Sequence, residues 1–232
     1  MKIIISPSKQ QKKIPYDFIV SEPKFHHKAN YLASKINELS VAEIKKVFKC
    51  SYEIAQSVKV NYENFNNSVH PALFLFSGLQ YKNIDVETLN NREIDFLLEN
   101  LLIADSLYGI LKASDSISEY RLDYNTKLPF FSYNYYKEDL ENCVDEIIIN
   151  LCSKEYSKNL KQDKLFHINF IQNLKGNIKS YSTHTKIARG RFVRYLAKCD
   201  STSFDVIRAF NIDNYYLTFE SENSITFQKD IL

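Results

Sequence analysis

Lys2-Ile3-Ile4-Ile5-Ser6-Pro7 is a run of three isoleucines closed by serine and proline. A short apolar stretch that stops at Ser-Pro reads as a buried strand passing into a loop. Two further runs have the same character. Pro71-Ala-Leu-Phe-Leu-Phe76 is closed by Ser77-Gly78, and Asp145-Glu-Ile-Ile-Ile-Asn-Leu151 ends in Ser153, Lys154, Glu155 and Tyr156. Helical patterns separate them: Phe25 to Leu39, Ser51 to Phe65, and Asn91 to Ala104 with Ile94, Leu97, Leu98, Leu101 and Leu102 on one face. Ser40-Val-Ala-Glu43 is a capping box, followed by Ile44, Val47 and Phe48 at helical spacing. Phe166 to Ile171 alternates like a strand, and Lys179 to Thr183 reads as another. A late helix ends at Ile207 to Phe210, and Tyr215 to Phe219 with Ser224 to Phe227 predicts a closing hairpin. Leu128 to Tyr136 is aromatic and partly loop. Strands interleaved with helices specify the α/β (mixed α+β) class. The expectation is a single domain over residues 1–232, a mixed sheet flanked by helices.

Composition narrows the functional classes. With 44% apolar and 25% charged residues the chain matches an ordinary globular protein. No apolar run approaches a membrane span, and the apolar start is too short for a signal peptide, so no membrane partner and a cytoplasmic location are expected. The four cysteines, Cys50, Cys143, Cys152 and Cys199, are widely spaced without a Cys-x-x-Cys pair. They read as free thiols, and no metal or cofactor is expected. Abundant Asn, Lys, Ile and Tyr with no Trp looks like mutational bias, so Lys12, Lys13, Lys45 and Lys46 carry no weight as binding evidence.

A local concentration of charge does carry weight. Tyr181 to Lys198 gathers Lys186, Arg189, Arg191, Arg194 and Lys198, on a chain whose net charge is only +2. At about 100° per residue, Arg191, Arg194 and Lys198 fall within roughly 60° of one another. Arg189 is out of phase and falls on the apolar side, so either it precedes a helix that starts after Gly190 or it points inward. An inward guanidinium needs an anionic partner. Ser106-Leu-Tyr-Gly109, between the helical pattern and Ile110-Leu111, has the outline of a helix-hairpin-helix, whose turn amides can hold a DNA phosphate.

Side chains just beyond strand ends line clefts in α/β folds. That places Ser6, Lys9, Arg121, Asp123, Glu155, Tyr156, Lys186 and Arg189 around one cleft. Two readings follow. Lys9, Lys186, Arg189, Arg191, Arg194 and Lys198 could neutralise DNA phosphates without reading sequence. Alternatively, Arg189 and Lys9 hold the phosphate of a nucleotide, nucleoside or damaged base while Glu155 or Asp123 moves a proton. The structural alternative pairs Arg121 with Asp123 and Arg189 with Glu155 merely to fix the fold.

Six motifs occur in a recognisable order: Ser6-Pro7-Ser8-Lys9; Phe76-Ser-Gly78 with Tyr81; Leu107-Tyr-Gly109-Ile-Leu111; Tyr120-Arg121-Leu122-Asp123; Asn150-Leu-Cys-Ser153 with Glu155-Tyr156; and Lys186 with Ala188-Arg189-Gly190. Nearly the whole chain, through Phe210-Asn211 and Tyr215, resembles the bacterial YaaA family of peroxide stress resistance. The resemblance implies one mixed α/β domain with a positively charged cleft and a helix-hairpin-helix-like element. It also implies binding to double-stranded DNA and a role in limiting iron-driven oxidative damage, acting on iron indirectly. The family's Ser-Gly-Leu-Tyr-Gly turn stands here as Asp105-Ser106-Leu107-Tyr108-Gly109, where an aspartate would repel phosphate. Asn83, Asn125 and Asn214 stand where the family has glycine, and Ile187 where it has lysine.

Overall fold

The structure, a computed structural model, describes residues 1–131, 136 and 146–231. Cys143, Asp145 and most of the aromatic stretch after Phe131 lie outside the described residues. In chain order the elements begin with strand β1 (Lys2–Ile5) and helices α1 (His26–Asn37), α2 (Val41–Phe48) and α3 (Tyr52–Glu63). Strand β2 (Val69–Pro71), α4 (Ala72–Leu75), α5 (Leu79–Ile84) and α6 (Asn91–Asn100) follow. Strands β3 (Leu101–Asp105), β4 (Gly109–Lys112), β5 (Ser116–Ser118) and β6 (Ile148–Asn150) lead to α7 (Lys154–Ser157). Then come β7 (Leu165–Leu174), β8 (Asn177–Lys179), α8 (Ser182–Cys199), α9 (Phe204–Arg208), β9 (Tyr216–Ser221) and β10 (Ser224–Ile231).

Seven strands form the sheet path β4-β3-β1-β6-β7-β10-β9, and β8 pairs with β7 beside it. The isoleucine run lies in the sheet's interior. Ile3, Ile4 and Ile5 are fully buried, with β3 parallel on one side and β6 parallel on the other. A strand buried on both faces must be apolar throughout, which is why no alternation is visible in it. Antiparallel pairs close the two ends of the path, β3 with β4 and β10 with β9. The closing hairpin and the capping box at Ser40, whose Oγ accepts from Glu43 N, are formed as the sequence predicts.

Four local expectations are corrected. Pro71–Phe76 is not a strand: after β2 the chain donates Ala72 N and Leu73 N to the carbonyls of Asp115 and Ala113, at 2.9 and 3.1 Å, and then makes one helical turn. The predicted Asn91–Ala104 helix ends at Asn100, and Leu101–Asp105 is strand, wedged between β1 and β4. A short apolar run is compatible with either state, and the sheet decides. In consequence Ser106-Leu-Tyr-Gly109 turns between two antiparallel strands, with Gly109 at φ +75, and forms no helix-hairpin-helix. The predicted strand Lys179–Thr183 also divides, into the end of β8 and the start of α8.

Candidate functional site

β1 and β6 are parallel neighbours, so their carboxyl ends lie side by side and both release the chain into polar loops. Ser6 Oγ accepts from Ser153 N at 3.0 Å, tying the two exits together. Tyr81 of α5 donates its hydroxyl to the Ser6 carbonyl at 3.0 Å. The chain passes close to Ser8 at Gly78, where a Cβ would lie 2.2 Å from Ser8 Oγ and oblige that hydroxyl to turn away. The 120–125 segment forms the opposite wall. It is anchored by Tyr62 Oη donating to Arg121 O at 3.1 Å and by Tyr120 N donating to Gln11 Oε1 at 3.0 Å. The first two turns of α8 complete the rim.

These segments enclose a cleft of about 520 Å³, within the roughly 300–1,000 Å³ of small-ligand sites. Ser6, Lys9, Arg121, Asp123, Glu155, Tyr156, Lys186 and Arg189 all line it. The sequence reading grouped these eight, and the fold brings them together.

The second cationic set is divided. Lys9, Lys186 and Arg189 reach the cleft, and Lys186 is exposed at its rim. Arg191 forms an ion pair with Asp213, and its Nε donates to Asn83 Oδ1 at 3.2 Å. Arg194 Nη1 donates to the carbonyls of Ile84 and Asp85, at 2.8 and 2.9 Å. These two arginines clamp α8 onto the end of α5, satisfying carbonyls that the short helix leaves open. Lys198 is exposed near the far end of α8.

Charge in the cleft is incompletely compensated. Lys9 Nζ lies 2.7 Å from Asp123 Oδ2. Among the described residues no ion pair joins Arg121 to Asp123 or Arg189 to Glu155, so the pairing that would make these arginines purely structural is not formed. The Nε atoms of both arginines are buried without a hydrogen-bond partner, and so is Gln80 Nε2. Helix α8 runs unbroken through Gly190, which turns Arg189 inward as its phase required. Burial pulls the Arg189 guanidinium below its ordinary pKa.

The carboxyl side differs. Burial, and then the negative charge of Asp123, push the Glu155 carboxyl above its usual range, with Lys9 opposing. Asn125 Nδ2 donates to Glu155 Oε1 at 3.0 Å and orients it. Behind the cleft, burial pushes the Cys152 thiol up to about 12, against the pull of Arg189 and of the Ser6 hydroxyl. A neutral thiol is a poor nucleophile and reacts slowly with peroxide.

Sequence reasoning missed Gln80, Tyr81 and Tyr120 as wall residues. Gln80 sits on a six-residue helix, 7% exposed, where no periodicity separates a cleft amide from a surface one. Tyr81 and Tyr120 were visible only as members of motifs.

Comparison with known proteins shows the family. The family model described as peroxide stress protein YaaA matches residues 1–221. A UPF0246 protein of Finegoldia magna is 37% identical over 235 residues, covering 97% of this chain and 94% of the relative. A UPF0246 protein of Fusobacterium nucleatum is 32% identical, covering 93% and 92%. One of Francisella tularensis subsp. novicida is 30% identical, covering 99% and 100%. With the family model spanning nearly all of the sequence and relatives aligned over almost their full length, the chain belongs to the YaaA (UPF0246) family of peroxide stress proteins.

Proposed function

We propose that the cleft binds a nucleotide unit by its phosphate and that this binding, in the cytoplasm, is the protein's contribution to peroxide resistance. The observation that carries the reading is the pair of guanidiniums, Arg121 and Arg189, held in a concave site with buried Nε atoms and, among the described residues, no anion paired with them. Leaving a buried cation uncompensated costs several kcal/mol, a cost that a bound anion offsets. Gln80 adds a third buried donor with no acceptor. A phosphate offers three or more acceptor oxygens and matches paired guanidiniums. Tyr81, Tyr120 and Tyr156 give the same cleft an aromatic wall.

The same chemistry reaches the cleft from two sources, a free nucleotide or a unit of a DNA strand. The exposed Lys186 at the rim favours the strand, since it adds a cation where a neighbouring phosphate would pass. Titration calorimetry with nucleoside monophosphates and with short single- and double-stranded DNA separates the two. Arg189→Met keeps the packing volume and removes the charge, and is expected to weaken binding about ten- to a hundredfold, the size of a charge-assisted hydrogen bond. Unchanged affinity in that variant sinks the reading. For DNA, the slope of log affinity against log salt is expected to report about four phosphates rather than six, because Arg191 and Arg194 are engaged within the fold.

A further inference from the structure

Helix α8 contributes one face to the cleft. Ser182, Lys186 and Arg189 stand at i, i+4 and i+7 and all line it, with Thr183 beside the first. The face descends from mouth to floor: Ser182, Thr183 and Lys186 are exposed, whereas the Nε of Arg189 is buried. At 1.5 Å of rise per residue, the seven steps from Ser182 to Arg189 span about 10 Å. The mouth end is itself suited to an anion. Ser182 and Thr183 open an 18-residue helix, so their amides have no carbonyl to bond within it. Tyr181 at the N-cap makes no capping bond, and α8 carries no acidic residue. Lys186 adds a full charge one turn further on. The floor gives a second, independent sign of a ligand. Gln80 is 7% exposed, and its Nε2, like the Nε atoms of Arg121 and Arg189, has no partner among the described residues. These orphaned donors line the same cavity as the helix start.

We propose that the start of α8 is a second phosphate subsite, and that the ligand is a nucleotide bearing phosphates on both sides of its sugar. This rests on the phosphate-binding reading above, which supplies the floor site. Two phosphates joined through one bridging oxygen, as in a nucleoside diphosphate, lie too close together to occupy both ends of a face about 10 Å long. Phosphates on the 5′ and 3′ oxygens are held apart by the sugar and reach from floor to mouth. One is bound by Arg121, Arg189 and Gln80. The other accepts from the amides and hydroxyls of Ser182 and Thr183 and pairs with Lys186. The same chemistry occurs in a free nucleoside 3′,5′-bisphosphate and in an internal unit of a nucleic-acid strand.

Titration calorimetry on the full-length protein tests this with thymidine 5′-monophosphate, thymidine 5′-diphosphate, thymidine 3′,5′-bisphosphate and a short single-stranded oligothymidylate. The bisphosphate is expected to bind about tenfold or more tightly than the monophosphate, and the diphosphate more weakly than the bisphosphate by about threefold or more. The oligonucleotide separates the sources: tighter binding than the bisphosphate assigns the strand, and weaker binding assigns the free compound. Ser182→Pro is the most direct variant. Proline suits the first helical position, and Tyr181 before it is already extended at ψ 121°, so the change removes an amide donor and a hydroxyl without breaking α8. The preference for bisphosphate over monophosphate is expected to fall about threefold or more in this variant, with helix content by circular dichroism unchanged. Lys186→Met is expected to lower the same preference. Equal affinity for bisphosphate and monophosphate, or a diphosphate that matches the bisphosphate, overturns the second subsite and leaves the floor site standing. A preference that survives both substitutions overturns it as well. Failure of every compound to bind overturns both readings.

Discussion

Asp105 is fully buried behind the cleft, and its carboxylate organises the wall segment. Its Oδ1 accepts from Leu107 N and Tyr108 N, both at 2.8 Å, and its Oδ2 accepts from the Tyr120 hydroxyl. Tyr124 Oη donates to its carbonyl at 3.2 Å. The aspartate that the sequence suggested would repel a phosphate points instead into the protein, where it closes the turn and holds Tyr120 in place. Asp105→Ala leaves these donors without their acceptor and is expected to cost about 3 kcal/mol in urea denaturation. Burial raises the folded pKa of this carboxyl. The folded state therefore binds its proton more tightly than the unfolded chain. The corresponding stability is fully present below the unfolded value of about 3.9 and is lost as pH rises through the folded value. The wild-type advantage over the alanine variant should shrink across that window and level off above it.

Helix α8 is the element on which fold and site meet. It packs on α5 so closely that a Cβ at Gly190 would lie 2.2 Å from Gln80 O and 2.7 Å from the Asn83 Cβ. Alanine improves helix propensity by about 1 kcal/mol, but forcing a methyl against a backbone carbonyl costs more. Gly190→Ala is expected to lower stability by about 2 kcal/mol net, read from the thermal midpoint, and to weaken nucleotide binding because Arg189 and Gln80 move with the two helices. The helix also shows what the sequence could and could not disclose. The inward turn of Arg189 was legible because helical phase is a local property. The engagement of Arg191 and Arg194 was not, because their partners, Asn83 to Asp85 and Asp213, arrive from distant segments. The same limit applied to Leu101–Asp105, whose state was decided by β1 and β4 rather than by its own pattern. The eight cleft residues were recoverable because each follows a strand end or sits in a compact motif, whereas Gln80 has neither mark.

At the scale of the molecule, the first strand of the chain is an interior strand of the sheet. β1 registers Ile3, Ile4 and Ile5 against Leu101, Leu102 and Ile103 on one side, and Lys2, Ile3 and Ile4 against Ile148, Ile149 and Asn150 on the other. Its removal would separate β3 and β4 from the rest and open a buried parallel sheet on both new edges. A chain lacking residues 1–5 is expected to show no cooperative unfolding transition in urea by circular dichroism.

The cleft is lined by residues from 6–10, 78–81, 120–125, 153–156 and 182–189. A ribosome synthesising this chain makes the first of these segments almost at once and the last only after Arg189. No nascent chain halted before that point has Lys186 or Arg189 to place at the rim. The cleft is thus complete only late in synthesis, and unfinished copies tethered to a stalled ribosome lack part of its wall.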